Sequence, residues 1–146
     1  MNELRDLYQE VIFDHYRSPR NYGPLPSANR DAEGHNPLCG DQLKLHLQVE
    51  DGVIRDAHFE GSGCAISTAS ASLMTEVLKG KREEDAMRLM QEFQRLVTGV
   101  GEPEGMGKLE ALAGVREFPS RVKCATLAWH TMQAALENRH VPVTTE

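Results

Sequence analysis

Leu43-Lys44-Leu45-His46-Leu47-Gln48-Val49-Glu50-Asp51-Gly52-Val53-Ile54-Arg55-Asp56-Ala57-His58-Phe59 is the stretch that decides the fold class. From Leu43 to Val49 apolar and polar residues alternate, the pattern of a strand with one buried and one wet face. After Asp51-Gly52, the positions Val53, Arg55, Ala57 and Phe59 continue the alternation, so the two runs read as a hairpin. Two closures compete. A two-residue Asp51-Gly52 turn sets Leu47 opposite Asp56 and Leu45 opposite His58, which mixes the faces. A three-residue Glu50-Asp51-Gly52 loop, with Gly52 left-handed in a bulge, pairs Val49 with Val53, Leu45 with Ala57 and Leu43 with Phe59, and is the predicted register.

Working outward, Leu4, Leu7, Tyr8, Val11, Ile12 and His15 recur at helical spacing upstream, with Asn2 as a cap and Ser18-Pro19 as the stop. Residues 21–36 are rich in Gly, Pro, Asn and Ser and read as a long loop with room for a short strand. Downstream, Gly61-Ser62-Gly63 breaks the hairpin, and a helix runs from Cys64 or Ala65 to Lys79, burying Ile66, Ala69, Leu73 and Val77. Its first half is Ala and Ser, which permits close approach by a neighbour. A second helix spans residues 83–98, a glycine-rich loop follows over 99–107, and a short helix fits Lys108–Ala113. The last helix, Ser120 to Asn138, carries Val122, Ala125, Trp129, Met132 and Leu136 in register. One helix, then strands, then helices is an α+β order, expected as one domain over residues 1–146.

Apolar residues at 40% and charged residues at 26% are enough for a packed core. The net charge of −6 disfavours a nucleic-acid surface, where phosphates want a basic stripe. No apolar run approaches a membrane span, and no basic stretch followed by an apolar one marks an export signal. A cytoplasmic protein with reduced thiols is expected, and three cysteines is an odd number for a disulfide framework.

Those cysteines carry the chemistry. Cys39-Gly40-Asp41 lies between a loop and the first clear strand, Cys64 where a glycine turn meets a helix, and Cys124 in the first turn of the last helix. Helix N-termini at Cys64 and Cys124 favour thiolate over thiol, and Lys123 adds a positive charge. Three thiolates and the Asp41 carboxylate suit Zn²⁺ or an iron–sulfur cluster. Against this stands the plainer reading that cysteines are small buried hydrophobes, since no CxxC pair is present. All three, however, fall beside Gly or Pro breaks or at helix starts. Among the histidines, His15 reads as a packed core residue, His46 and His58 as solvated, His35 as a neighbour of Cys39, and His130 as too far from Cys124 to be a ligand.

Several stretches are recognisable together: residues 8–16, Ser18-Pro19-Arg20-Asn21, Asn36-Pro37-Leu38-Cys39-Gly40-Asp41, Gly63-Cys64-Ala65-Ile66-Ser67-Thr68, and Phe118-Pro119-Ser120-Arg121-Val122-Lys123-Cys124-Ala125. In order and over nearly the whole chain, they resemble the U-type iron–sulfur cluster assembly family, and within it the SufU branch. The resemblance implies an antiparallel sheet of about three strands covered by helices, with a metal site at one exposed end built from Cys39, Asp41, Cys64 and Cys124. It further implies bound Zn²⁺, sulfur accepted from a cysteine desulfurase of the SufS type, and delivery to a downstream cluster scaffold or apo-protein acceptor. Cys39, on a loop, is the expected sulfur acceptor, which would make the chain a zinc-dependent sulfurtransferase. Arg121 and Lys123 flank the third cysteine, and Arg121 is suited to holding an anionic sulfur species.

Departures from the family pattern weigh the alternatives. Scaffold proteins of the IscU branch carry a histidine where Lys123 stands, and join their helices with a shorter segment than Gly99–Gly114. Their double-proline chaperone segment is reduced here to Phe118-Pro119-Ser120. The second reading is a scaffold on which a [2Fe–2S] cluster is assembled and transferred, or iron is held, with Asp41 as the exchangeable ligand. The third is a closed structural zinc module whose surface does the work.

Overall fold

The central hairpin follows from a turn in which two consecutive residues take positive φ, Asp51 at 53° and Gly52 at 76°. That conformation matches the twist of the flanking strands, and Asp-Gly is well suited to it. The computed structural model describes residues 2–101 and 105–145, with side chains from Tyr8 onward. The expected Asn2 cap, the Leu4 and Leu7 side chains and residues 102–104 of the glycine-rich loop lie outside the described parts.

In chain order the elements are α1 (Asn2–Arg17), β1 (Arg30–Asn36), β2 (Asp41–Glu50), β3 (Val53–Ser62), α2 (Ala65–Leu78) and α3 (Glu83–Thr98). A 3₁₀ segment (Gly107–Glu117), α4 (Pro119–Leu136) and the short β4 (Val143–Thr144) complete them. The sheet has four strands in the order β3-β2-β1-β4, the first three antiparallel and β4 parallel to β1. The expectation of about three antiparallel strands is met, with one short parallel strand added.

The predicted hairpin register is corrected. The turn is the two-residue one, with Glu50 opposite Val53 and Val49 opposite Ile54. A bulge beside Gln48 and Val49 then shifts the pairing, so Leu47 faces Ala57 and Leu45 faces Phe59. The extra residue in β3 flips the alternation by one position, and Ile54, Ala57 and Phe59 all reach the buried face. A bulge thus resolves the mixing of faces that seemed to exclude the short turn.

β1 is the strand for which the reading of residues 21–36 as a loop left room. Its inward positions are Ala32, Gly34 and Asn36, which offer no run of large apolar residues to recognise. They are small because α4 lies directly against them: a Cβ on Gly34 would collide with Thr131 and Leu127. The core lies between the inner sheet face (Leu43, Leu45, Leu47, Val49, Ile54) and the helices. α4 is its centre, with Ala125, Leu127, Trp129 and Met132 fully buried. Trp129 stacks on Phe93 of α3 at 4.6 Å between ring centres. The Ala/Ser half of α2 permits the close approach expected of it: Ser70 Oγ donates to the backbone O of Ala125 at 2.5 Å and accepts from Trp129 Nε1 at 3.2 Å.

The short helix expected at 108–113 is longer and tighter, a 3₁₀ segment that buries Leu109, Leu112 and Val115 at its own period of three. No helix among the described residues is long and apolar enough to cross a membrane.

Candidate metal centre

Three chain breaks meet at one end of the sheet. Asn36 pairs with Asp41 across the β1–β2 connection, so residues 37–40 form a tight turn that carries Cys39 at its crown, beside Leu38, which is 69% exposed. Cys64 is the N-cap of α2, and its sulfur accepts from Ser67 N at 3.4 Å. Cys124 projects from α4. One ligand atom each from Cys39, Asp41 and Cys124 lies within 4.8 Å of the other two. The Cys124 and Cys39 sulfurs are 3.3 Å apart, and Cys64 Sγ lies 4.0 Å from Asp41 Oδ2. All three cysteines are free.

Asp41 is 1% exposed, an unusual place for a carboxylate. Its Oδ1 accepts from Cys64 N at 2.8 Å, the first amide of the α2 turn, and its Oδ2 accepts from Asn36 Nδ2 at 3.3 Å. Gly63 makes this approach feasible, because a Cβ there would sit 2.6 Å from Asp41 Oδ1. The glycine-rich break before α2 therefore has a second task besides ending β3: it admits the carboxylate to the helix end.

Cys124 departs from expectation in its surroundings. α4 begins at Pro119, one residue before the expected Ser120, so Cys124 sits in the second turn rather than the first, and it is 0% exposed. The helix end does not lower its pKa. Burial, then the sulfurs of Cys39 and Cys64 and the Asp41 carboxylate, push the Cys124 thiol far above the ordinary thiol range. The cations beside it also divide differently from expectation. Arg121 is held more firmly protonated by its hydrogen bond to Cys124 and by the field of the three sulfurs. The Lys123 side chain is exposed and makes no hydrogen bond or ion pair among the described residues.

The donor set fits a thiophilic cation. The sulfurs of Cys39 and Cys124 and the Asp41 carboxylate form the cluster, with the Cys64 sulfur at its edge, 4.0 Å from Asp41 Oδ2 but outside the group. A buried thiol that resists ionisation is relieved by a bound positive charge. Sulfur and carboxylate oxygen together suit zinc, whereas an all-oxygen shell would be needed for magnesium or calcium.

The other residues singled out in the sequence fall elsewhere. His35 lies on the outer sheet face with Gln42, Lys44 and Glu60, away from the thiols. His46 is not simply solvated, because its Nδ1 is 2.6 Å from Asp31 and its Nε2 2.9 Å from Glu60 across three strands. His15 is a core residue as expected, 1% exposed between α1 and α2. Asn36 is the residue to which the sequence reading assigned no role. It is 1% exposed and donates to both Asp41 and Cys124 Sγ, the latter at 3.5 Å.

Comparison with known proteins agrees with this geometry. The family model for the NifU-like N terminal domain matches residues 7–140. The zinc-dependent sulfurtransferase SufU of Bacillus subtilis is 42% identical over 132 residues, covering 89% of each chain. The iron-sulfur cluster assembly scaffold protein IscU of Thermotoga maritima is 43% identical over 132 residues, covering 90% of this chain and 93% of that one. A solved structure from Fervidobacterium islandicum, of a candidate cluster assembly scaffold protein for the SUF system, superposes with a TM-score of 0.84 at 34% identity. It covers 90% of this chain and 98% of its own. Relatives with the two kinds of name are thus equally similar, so identity alone does not choose between them. With the match running from α1 to beyond α4, this chain belongs to the NifU-like N-terminal domain family.

Proposed function

We propose that this chain, working as one domain in the cytoplasm, holds Zn²⁺ with Cys39, Asp41, Cys64 and Cys124 and accepts sulfur on Cys39 from a cysteine desulfurase of the SufS type. The observation that carries it is a division of labour within the site. Asp41 and Cys124 are sealed in at 1% and 0% exposure; Cys39 and Cys64 are both half-buried, but Cys64 is held as the N-cap of α2 while Cys39 rides an exposed turn. Bound zinc would supply positive charge that keeps the sulfurs as thiolates.

The chain's own residues then do the following. Cys39 sulfur meets the outer sulfur of the partner's persulfide; one S–S bond forms as the partner's S–S bond breaks. The electron pair leaves on the partner's cysteine thiolate, so the exchange needs no oxidant or reductant. Arg121, exposed beside the three sulfurs, offers its guanidinium to the anionic persulfide left on Cys39. From there the sulfur passes to a downstream scaffold or apo-protein.

The test uses a persulfide-loaded desulfurase and the zinc-loaded chain. The wild type should gain one sulfur atom by mass, on the peptide containing Cys39, and Cys39→Ala should gain none. Sulfur found on Cys64 in the wild type would overturn the choice of acceptor.

The scaffold reading keeps a specific support in the Thermotoga maritima relative, at 43% identity. It differs in one outcome: a chain that retains iron and sulfide and leaves desulfurase turnover unchanged is a scaffold. Lys123, where the family resemblance puts a histidine in scaffold proteins of the IscU branch, favours sulfur relay.

A further inference from the structure

Asn36 is linked to the last described residue of the chain. The Thr145 hydroxyl lies 2.8 Å from Asn36 Oδ1, across 109 positions of sequence. The other end of the same amide, Nδ2, faces Asp41 Oδ2 at 3.3 Å and Cys124 Sγ at 3.5 Å. The amide direction follows from chemistry. The Asp41 carboxylate is an acceptor only, so the amide must turn its NH₂ toward it and its oxygen away. The hydroxyl of Thr145 must then donate. The sequence Thr145 O–H to Asn36 Oδ1, and Asn36 Nδ2–H to the two donor atoms, is a chain of bonds that strengthen one another.

Backbone geometry delivers Thr145 to this position. β4 pairs in parallel with β1, Gly34 with Val143 and His35 with Thr144, and Thr145 N donates to the His35 carbonyl at 3.3 Å. A strand of two residues adds little to the sheet, yet its register sets a hydroxyl beside a buried amide.

We propose that Thr145 is a positioning residue of the metal centre: through the Asn36 amide it orients Asp41 and Cys124, and it slows loss of the bound ion. This rests on the metal-binding reading above. Groups that hydrogen-bond to metal ligands typically govern affinity about 10- to 100-fold. The C-terminal strand is then a clasp on the site, and a partner that peels it from β1 would loosen the ion without touching a ligand.

The experiment measures zinc transfer from the loaded full-length chain to a chromogenic chelator, for wild type, Thr145→Val and Thr145→Ser. Valine keeps the shape without the hydroxyl, and serine restores the hydroxyl. The expected result is release about tenfold faster from the valine variant, and near the wild-type rate from the serine variant. The sulfur-to-metal charge-transfer band of the Co²⁺-substituted valine variant should also shift, while the melting temperature of the metal-free form stays at the wild-type value. Unchanged release from Thr145→Val, or equal acceleration in Thr145→Ser, overturns the role of the hydroxyl. A metal-free valine variant that melts well below wild type, with an unshifted cobalt band, makes the residue structural and overturns it too. A wild type that takes up neither metal refutes the metal-binding reading itself, and this inference with it.

Discussion

A buried polar cluster between α1 and α2 and the one at the end of the sheet are short of opposite things. Between α1 and α2, His15 Nδ1 pairs with Ser72 Oγ at 2.7 Å, while its Nε2 has no hydrogen-bond partner and lies 3.6 Å from Glu76. Ser72 is fully engaged, since its Oγ also accepts from Arg20 N at 2.8 Å. At the other cluster, the Asp41 carboxylate and the thiols of Cys39 and Cys124, with Cys64 at the edge, gather groups that ionise to negative charge, with Asn36, Cys64 N and Arg121 beside them. The first cluster remains neutral, because burial holds the His15 pKa below its ordinary value. The second gathers the groups that a cation would complete, as proposed above. Buried polarity alone does not mark a site; a surplus of ionisable acceptors does.

This contrast is testable by separating metal affinity from stability. Cys124→Ala should weaken zinc binding by at least about 100-fold, since it removes a ligand rather than a neighbour of one, with little change in the metal-free melt. Competition with a chelator of known affinity measures it. Gly63→Ala should come next, because its methyl meets Asp41 Oδ1. Zinc affinity should fall about tenfold, measured in the same way. Ser72→Ala should do the reverse, costing about 1–3 kcal/mol in denaturant unfolding, with zinc affinity unchanged. If Ser72→Ala weakened zinc instead, the two clusters would be one network and the distinction would fail.

The smallest effect is a pH slope. His15 and His130 both have pKa values lowered by burial from the ordinary 6.5. The unfolded chain therefore binds protons first as pH falls, and the stability these two residues contribute is full above about pH 6.5 and is lost below it. The groups facing His15 are Glu76 and Ser72 from α2, Asp14 on α1, Arg20 just beyond it, and Lys108 from the 3₁₀ segment. His15→Asn should flatten the slope of stability against pH between 7.5 and 5.5 in urea titrations, whatever its effect on stability itself.

Much of this was legible in the sequence for local reasons. Alternation at Leu43–Val49 and the 3.6 period of α3 report directly on burial, and α3 runs over residues 83–98 as read. The convergence of Cys39, Asp41 and Cys124 came through family motifs, because no spacing links residues 85 apart in sequence. Two features were not legible. The β3 bulge is a choice the tertiary packing makes for Ile54, and no residue type announces it. β4 and the Thr145–Asn36 bond depend on a long-range pairing of two residues, too short for any periodicity. Cys124 lies one residue deeper in α4 than expected, because Pro119 begins the helix rather than preceding it.

The most direct measurement is metal and acid-labile sulfide analysis of the protein purified without added metal, followed by turnover of a SufS-type desulfurase with cysteine in its presence. The expected result is about one zinc per chain, as the four-donor set implies, with no sulfide and faster turnover that Cys39→Ala abolishes. A brown protein holding iron and sulfide, with turnover unchanged, would contradict the sulfur-relay account and establish the scaffold in its place.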